Sequence, residues 1–360
     1  MIPVYRPELS GNEKTYVLEC LDSTWISSLG GFIDKFEAEL SRLTAIEYVM
    51  GVCNGTVALH LALHCLDIGP GDEVIVPTFT YIASVNTIAQ TGAKPVFADS
   101  RPGDWLVDPE DVERKITPRT KAIMAVHLYG AVADMPALKA IADRHGLRLI
   151  EDCAEALGST LDGVHVGNLS DVATFSFFGN KTITTGEGGA VGSNDKALAA
   201  RMRKVKGQGQ SLTRRYWHDE LGFNYRMTNI CAAIGLAQIE RFDDIMTRKR
   251  RLANVYTEAF RNLGVTLQQP AEGVVSSNWL YSLLLPPDAD RDKVMASMQA
   301  EGVDTRPVFY CAHHMPMYAI DQTFPVAQDI ASRGISLPSF PALTDAELDQ
   351  VIGALKVALR

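Results

Sequence analysis

No two cysteines in this chain stand at zinc-finger spacing. The six, Cys20, Cys53, Cys65, Cys153, Cys231 and Cys311, are scattered with no CxxC pair, which argues against a structural zinc site. Most lie in apolar segments and read as small buried hydrophobes. Basic residues are also short: 34 Lys and Arg face 43 Asp and Glu, a net charge of −9. A broad nucleic-acid-binding surface needs clustered cations, so that class is disfavoured, while an anionic small ligand in a local pocket is not. No long apolar run is unbroken. The most apolar stretch, "VMGVCNGTVALHLALHCLDIG", is interrupted by Asn54, His60 and His64 and makes a poor membrane span. The opening "MIPVYRPELSGNE" has no basic region followed by an apolar core, so it does not read as a signal peptide. A reducing, cytoplasmic setting is the expectation. There is no internal repeat and no low-complexity segment. No G-x-G-x-x-G precedes a helix, so Asp99 at the end of "KPVFADS" does not mark a dinucleotide site. "GNKT" is not a phosphate loop either, because the earlier glycine is missing and Asn180 intervenes.

What is present is a regular alternation. "EYVMGV" precedes the helical "TVALHLALHCL", and "DEVIVP" precedes "YIASVNTIAQTG". "KPVFAD" is followed by "DPEDVERKI", with Asp108 as cap and Pro109 in the first turn. "KAIMAVHLYG" leads to "DMPALKAIADRHG", which ends at Gly146. "RLIEDC" and "ATFSFF" are two more apolar strands. Apolar strands alternating with helices predict a mostly parallel sheet covered on both faces. After about Ser193 the character changes. "DKALAARMRKVK" is helical, and "GQGQSLTRRYWHDELGFNYR" is a long polar, aromatic loop suited to an interface or a site. "TNICAAIGLAQIERFDDIMTRKRRLANVYTEAFRNLG" reads as one long helix or two in series, and the rest as a small α+β domain. The expected division is 1–245 and 246–360.

An open parallel sheet gathers ligand groups at the carboxyl ends of its strands. After "EYVMGV" come Asn54, Gly55 and Thr56, which open a helix; free N–H groups and the helix dipole there favour an anion. "TFTY" puts Tyr81 at the same edge. "RLI" ends in Glu151 and Asp152. "ATF" ends in Ser176, and Lys181 follows between that strand and a glycine-rich turn, "TTGEGGAV". Singly, each has a plain explanation: a cap, a packing ring, a hydrogen-bond partner, a lysine reaching for solvent. Together, phosphate donors, a flat aromatic, a buried acid and a lysine in a glycine-lined pocket match what pyridoxal 5′-phosphate requires. The lysine forms a Schiff base with it, and the acid keeps the pyridine nitrogen protonated so the ring can accept electrons.

With "STWISSLGGFIDKFE", "VCNGTVALHLAL", "VPTFTYIASVNTI", "IEDCAEALGS", "TFSFFGNKTITTGEGG" and "LGFNYRMTNICAAIG" in this order, the chain resembles the DegT/DnrJ/EryC1/StrS nucleotide-sugar aminotransferases along nearly its whole length. The resemblance implies the type I aminotransferase fold, an α/β architecture in which helices sandwich a mostly parallel mixed sheet, with a smaller C-terminal α+β domain. It implies Lys181 as the catalytic lysine and Asp152 as partner of the pyridine nitrogen. It puts Glu155 near the cofactor's phenolic oxygen, where the family commonly has Gln or His. Gly55, Thr56 and Ser176 would hold the phosphate, and Tyr81 would stack on the ring. Asn224 would reach the phosphate of a neighbouring subunit, which implies a homodimer with shared sites. Arg6, Ser27 and His313 fall in segments that contact the sugar in similar chains. Their plain readings are an N-terminal anchor, a turn and a buried ring. The implied reaction moves an amino group from L-glutamate to a nucleotide-linked 4-keto-6-deoxy sugar. GDP-4-keto-6-deoxymannose is foremost, with dTDP- and UDP-linked sugars as alternatives. Similar dehydratases carry histidine in place of the lysine, so Lys181 argues against them, and the full residue set argues against a non-catalytic cofactor-binding protein. His60 and His64, four apart on a helix, lack a third ligand, and no metal is expected.

Overall fold

The computed structural model describes residues 1–211 and 213–360; Leu212, in the polar loop 207–226, lies outside the described residues. The strands expected from the apolar runs form: β1 Tyr48–Val52, β2 Glu73–Pro77, β3 Lys94–Ala98, β4 Thr120–Val126 and β5 Arg148–Asp152. A short hairpin follows, β6 Thr160–Leu161 and β7 Val164–His165, then β8 Val172–Ser176 and β9 Gly189–Ser193. The main sheet has seven strands in the order β1-β9-β8-β5-β4-β2-β3. β2, β3, β4, β5 and β8 are parallel, and β9 alone runs against its neighbours β8 and β1. Every residue of β2 is buried, as are the last four of β1 and of β5, which is why these strands read as continuous apolar runs.

β9 departs from the sequence reading. Residues 189–193 lie in what reads as a glycine-rich turn, yet they form a fully buried strand. Its sequence, Gly-Ala-Val-Gly-Ser, has weak strand propensity, and tertiary packing overrides it. A Cβ on Gly189 would lie 2.5 Å from the carbonyl carbon of Asn54 and 2.7 Å from the nitrogen of Gly55. Glycine is what lets the helix start at Gly55 sit against the sheet. Gly189→Ala must therefore push that helix start away. The expected outcome is a loss of about 1–3 kcal/mol in stability, typical of overpacking, read as a lower Tm, together with weaker cofactor binding.

The expected long helix is two, Asn229–Glu240 and Phe242–Phe260, with Arg241 between them. Ile245 and Met246 pack into the main core with Phe36, Phe175 and Phe177. Leu252, Ala253, Tyr256 and Phe260 pack into a second core with Leu283, Met298, Leu337 and Leu355. One helix thus serves two cores, the second under a four-stranded antiparallel sheet of Thr266–Leu267, Tyr281–Leu284, Gly334–Leu337 and Arg306–Pro307. The chain returns to the main core through Val308, Cys311, Ala312 and Phe324. Among the described residues no helix is long and apolar enough to cross a membrane.

Candidate active site

The parallel strands end at one edge of the sheet, and β9 begins there, with Gly189 opposite both Val52 and Ser176. Above this edge lies a cavity of about 890 Å³ whose walls include Gly55, Thr56, Tyr81, Asp152, Glu155, Ser176 and Lys181. These are seven of the residues singled out in the sequence.

The anion end of the cavity is built on the helix Gly55–Cys65. Asn54 caps it, its side chain accepting from the Val57 amide at 2.9 Å, and the first turn faces the cavity. A Cβ on Gly55 would sit 2.8 Å from that of Ser176, so glycine brings the Ser176 hydroxyl against the helix start. Backbone N–H groups, a helix dipole and a hydroxyl converge in a cradle that a side chain at 55 would crowd. This donor set fits a phosphate.

At the end of β5 the two acids part, because successive residues of a strand face opposite ways. Glu151 turns into the core. It accepts from the Gly167 amide at 2.7 Å and the Leu169 amide at 3.1 Å, and it lies 3.0 Å from His127 Nε2. The Ala133 amide donates to His127 Nδ1, so Nε2 carries the proton given to Glu151. His127, Glu151 and Cys153 lie close enough to hold a metal, but these hydrogen bonds already occupy the ring nitrogens and the carboxylate. Asp152 turns to the cavity. It is 5% exposed, and it accepts from Ser84 Oγ at 2.8 Å and from the Ala154 amide at 3.1 Å. A buried carboxylate at the cavity wall fits a protonated pyridine nitrogen.

Lys181 Nζ lies 3.6 Å from Glu155 Oε1 and 3.9 Å from the centroid of the Trp279 ring. Burial pushes the Lys181 ammonium below its usual range, while Glu155 and Asp152 pull it back up. Burial pushes the Glu155 carboxyl up to about 7, against the opposing pull of Lys181 and the Tyr129 amide, which donates to Oε2 at 3.0 Å. Lysine and acid are thus drawn toward each other in proton affinity.

The framing of Lys181 comes from residues that sequence reasoning missed. Trp279 Nε1 donates to the carbonyl of Asn180 at 2.6 Å, and the Tyr5 hydroxyl donates to the carbonyl of Lys181 at 2.6 Å. Tyr129 lies between Trp279 and Phe309, nearly parallel to both rings. Ser84 lies three residues past Tyr81, so a hydroxyl one helical turn beyond the strand end was a usable signal. Trp279 and Tyr5 come from distant segments and left none.

Other candidate residues stand apart from the cavity walls. Asn224 is exposed, and its Oδ1 accepts from Arg226 Nε at 3.1 Å. Arg6 is exposed, with its guanidinium 4.9 Å from the centroid of the Phe340 ring. Ser27 is exposed, and its carbonyl accepts from the Asn229 amide at 2.6 Å. His313 is buried; its Nδ1 lies 2.6 Å from Thr78 Oγ1 and its ring packs on Phe324. Burial lowers its pKa to about 4. His60 and His64 join Phe223 and Tyr225 in an aromatic cluster.

Comparison with known proteins places the whole chain in a family. The model of the DegT/DnrJ/EryC1/StrS aminotransferase family matches residues 7–356. The chain is 52% identical over 348 residues to the GDP-perosamine synthase of Escherichia coli O157:H7, covering 96% of this chain and 95% of that one. It is 48% identical over 361 residues to the GDP-perosamine synthase of Vibrio cholerae, covering 99% and 98%. A Streptococcus pneumoniae structure named as a sugar aminotransferase, in its PLP form, superposes with a TM-score of 0.95 at 28% identity, covering 99% of this chain and 98% of that one. A phosphate cradle, a buried acid and a buried lysine on a type I fold thus meet a full-length match: the chain belongs to the DegT/DnrJ/EryC1/StrS family and is a pyridoxal-phosphate-dependent sugar aminotransferase.

Proposed function

We propose that this chain moves the amino group of L-glutamate to C4 of GDP-4-keto-6-deoxymannose, giving GDP-perosamine and 2-oxoglutarate. The observation that carries this reading is identity of 48% or more, over nearly the whole chain, to enzymes named for that product. Pyridoxal phosphate, when bound, supplies an electron sink that acidifies the carbon bearing the transferred nitrogen. The chain's residues do the rest. The amides at Gly55 and Thr56 and the Ser176 hydroxyl would hold the phosphate, Asp152 the pyridine nitrogen, Glu155 the phenolic oxygen, and Tyr81 one face of the ring. Lys181 Nζ is the attachment point for the cofactor. Once free, it would carry the Cα proton of glutamate to the cofactor's C4′ carbon in the first half-reaction and a proton from that carbon to C4 of the sugar in the second. Burial favours the neutral amine this requires, and Glu155 lies 3.6 Å from it. The amino nitrogen leaves one substrate and enters the other in the same cavity, so the kinetics are ping-pong.

The proposal includes a homodimer in which Asn224 reaches the neighbouring subunit's phosphate site. Its exposure, and that of Tyr216 and Trp217 in the same loop, support this reading. It also includes a division of the chain at 245/246, action in the cytoplasm, no nucleic-acid or membrane partner, and sugar contacts from Arg6, Ser27 and His313. The test is a panel of GDP-, dTDP- and UDP-linked 4-keto sugars with glutamate, read by 2-oxoglutarate release and by NMR of the aminated carbon. The GDP sugar should exceed the others in kcat/KM by at least ~100-fold. Turnover of only dTDP or UDP sugars, or amination at C3, would sink the substrate assignment.

A further inference from the structure

Lys249 is fully buried in the helix Phe242–Phe260, between Met246 of the main core and Leu252 of the second. Among the described residues no carboxylate lies within 4 Å of its ammonium. Nζ donates to the carbonyl of Trp279 at 3.0 Å and to the carbonyl of Ser339 at 2.9 Å, and it lies 5.6 Å from the centroid of the Tyr5 ring. Burying an ammonium without a counter-ion is strongly unfavourable. Burial accordingly lowers its pKa to about 7. A methionine would fill much of the same space with no such penalty, so the amine calls for an explanation beyond packing.

Its contacts supply one. The carbonyl of Trp279 is held from behind by Lys249, while the indole of the same residue lies over Lys181 Nζ and donates to Asn180. The Ser339 amide donates to the carbonyl of Val4, which fixes the segment that carries Tyr5. The Tyr5 hydroxyl in turn donates to the carbonyl of Lys181. The Tyr281 amide donates to Ser339 Oγ, tying the two carbonyl-bearing segments to each other. Three segments far apart in sequence converge on one amine, and two of them return to residues 180–181. Lysine can donate to both carbonyls whether charged or neutral, and no apolar residue can.

We infer that Lys249 is a positioning residue for Lys181, acting through Trp279 on one side and Tyr5 on the other. This rests on Lys181 being the cofactor-bearing lysine. Lys249 touches neither cofactor nor substrate. It fixes the indole and the phenol that set where Lys181 Nζ lies relative to Glu155 and Asp152.

The test uses the holoenzyme of Lys249→Met and Lys249→Arg. The near-visible absorbance of the lysine-linked cofactor is titrated with pH, alongside Tm and kcat. Lys249→Met should move the titration midpoint by about one pH unit, because Lys181 is displaced from its two acids. It should lower kcat about 10–100-fold, the range expected for a reacting group moved by up to an ångström. Lys249→Arg, which restores donors, should recover part of the midpoint shift. An unchanged midpoint with only a lower Tm would make Lys249 a purely structural residue and overturn the inference. If Lys249→Met does not fold, Tyr5→Phe and Trp279→Phe decide: a midpoint shift in either sustains it, and no shift in both overturns it. Failure of the underlying reading looks different, since it would appear as a near-visible band that survives Lys181→Ala.

Discussion

Lys181→Ala is expected to lose the near-visible band of the lysine-linked cofactor and at least about three orders of magnitude in turnover. The size of the effect follows from what else lines the cavity. Among the described residues of its walls Lys181 is the sole amine, and the other basic side chain, Arg306, cannot give up a proton at any working pH. No neighbour can therefore take over the attachment or the proton transfer. The fold should survive. Among the described residues Lys181 Nζ has Glu155 as its one carboxylate within 4 Å. With the ammonium gone, Glu155 loses its largest downward pull, and burial holds it protonated and neutral at pH 7. A buried neutral acid that still accepts from the Tyr129 amide is tolerable, so Tm should stay near that of the parent. Absorbance scans and 2-oxoglutarate release measure the outcome. Parental activity in this variant would remove Lys181 from the mechanism altogether.

Much of the site can be read in one dimension because of the fold. In a parallel sheet each strand ends at the same edge, so residues following successive apolar runs are neighbours in space however far apart in sequence. Gly55, Tyr81, Asp152, Ser176 and Lys181 follow that rule, and they line one cavity. β9 escaped the same reading because its signal is inverted. Contact with the backbone of Asn54 and Gly55 demands glycine at 189, Ile46 crowds 192, and glycine is the residue that normally speaks against a strand. Trp279, Tyr129 and Tyr5 escaped for another reason. Trp279 stands 98 residues from Lys181 and Tyr5 stands 176 residues from it, and no local period links a side chain to a partner at that distance. Arg6, Ser27, Asn224 and His313 drew attention through segment resemblance, which carries no information about which way a side chain turns. None of the four lines the cavity of its own chain, and Asn224 is proposed to serve that of the neighbouring subunit.

Asp152→Asn should reduce kcat by about 10²–10³-fold while leaving the protein folded and able to bind the cofactor. The substitution keeps the shape of the side chain and removes its charge. An asparagine oxygen can still accept from the Ala154 amide, and the Ser84 hydroxyl can turn from donor to acceptor to meet the new NH₂ group. The phosphate cradle at Gly55, Thr56 and Ser176 lies on other strand ends and is untouched. Under the proposed assignment, what would disappear is the anion that keeps the pyridine nitrogen protonated, and with it the ring's capacity to take up electrons during proton removal. A second consequence carries a definite sign. Asp152 is one of two carboxyls that raise the pKa of Lys181 against the downward push of burial. Removing its charge leaves Glu155 alone, so Lys181 should titrate lower than in the parent and its share of the pH–rate profile should move toward acid. A merely structural Asp152 predicts the opposite combination, a lower Tm with kcat and profile unchanged. Ser84→Ala separates the two effects further: it removes one hydrogen bond to Asp152 but keeps the charge, so its loss in kcat should be closer to tenfold.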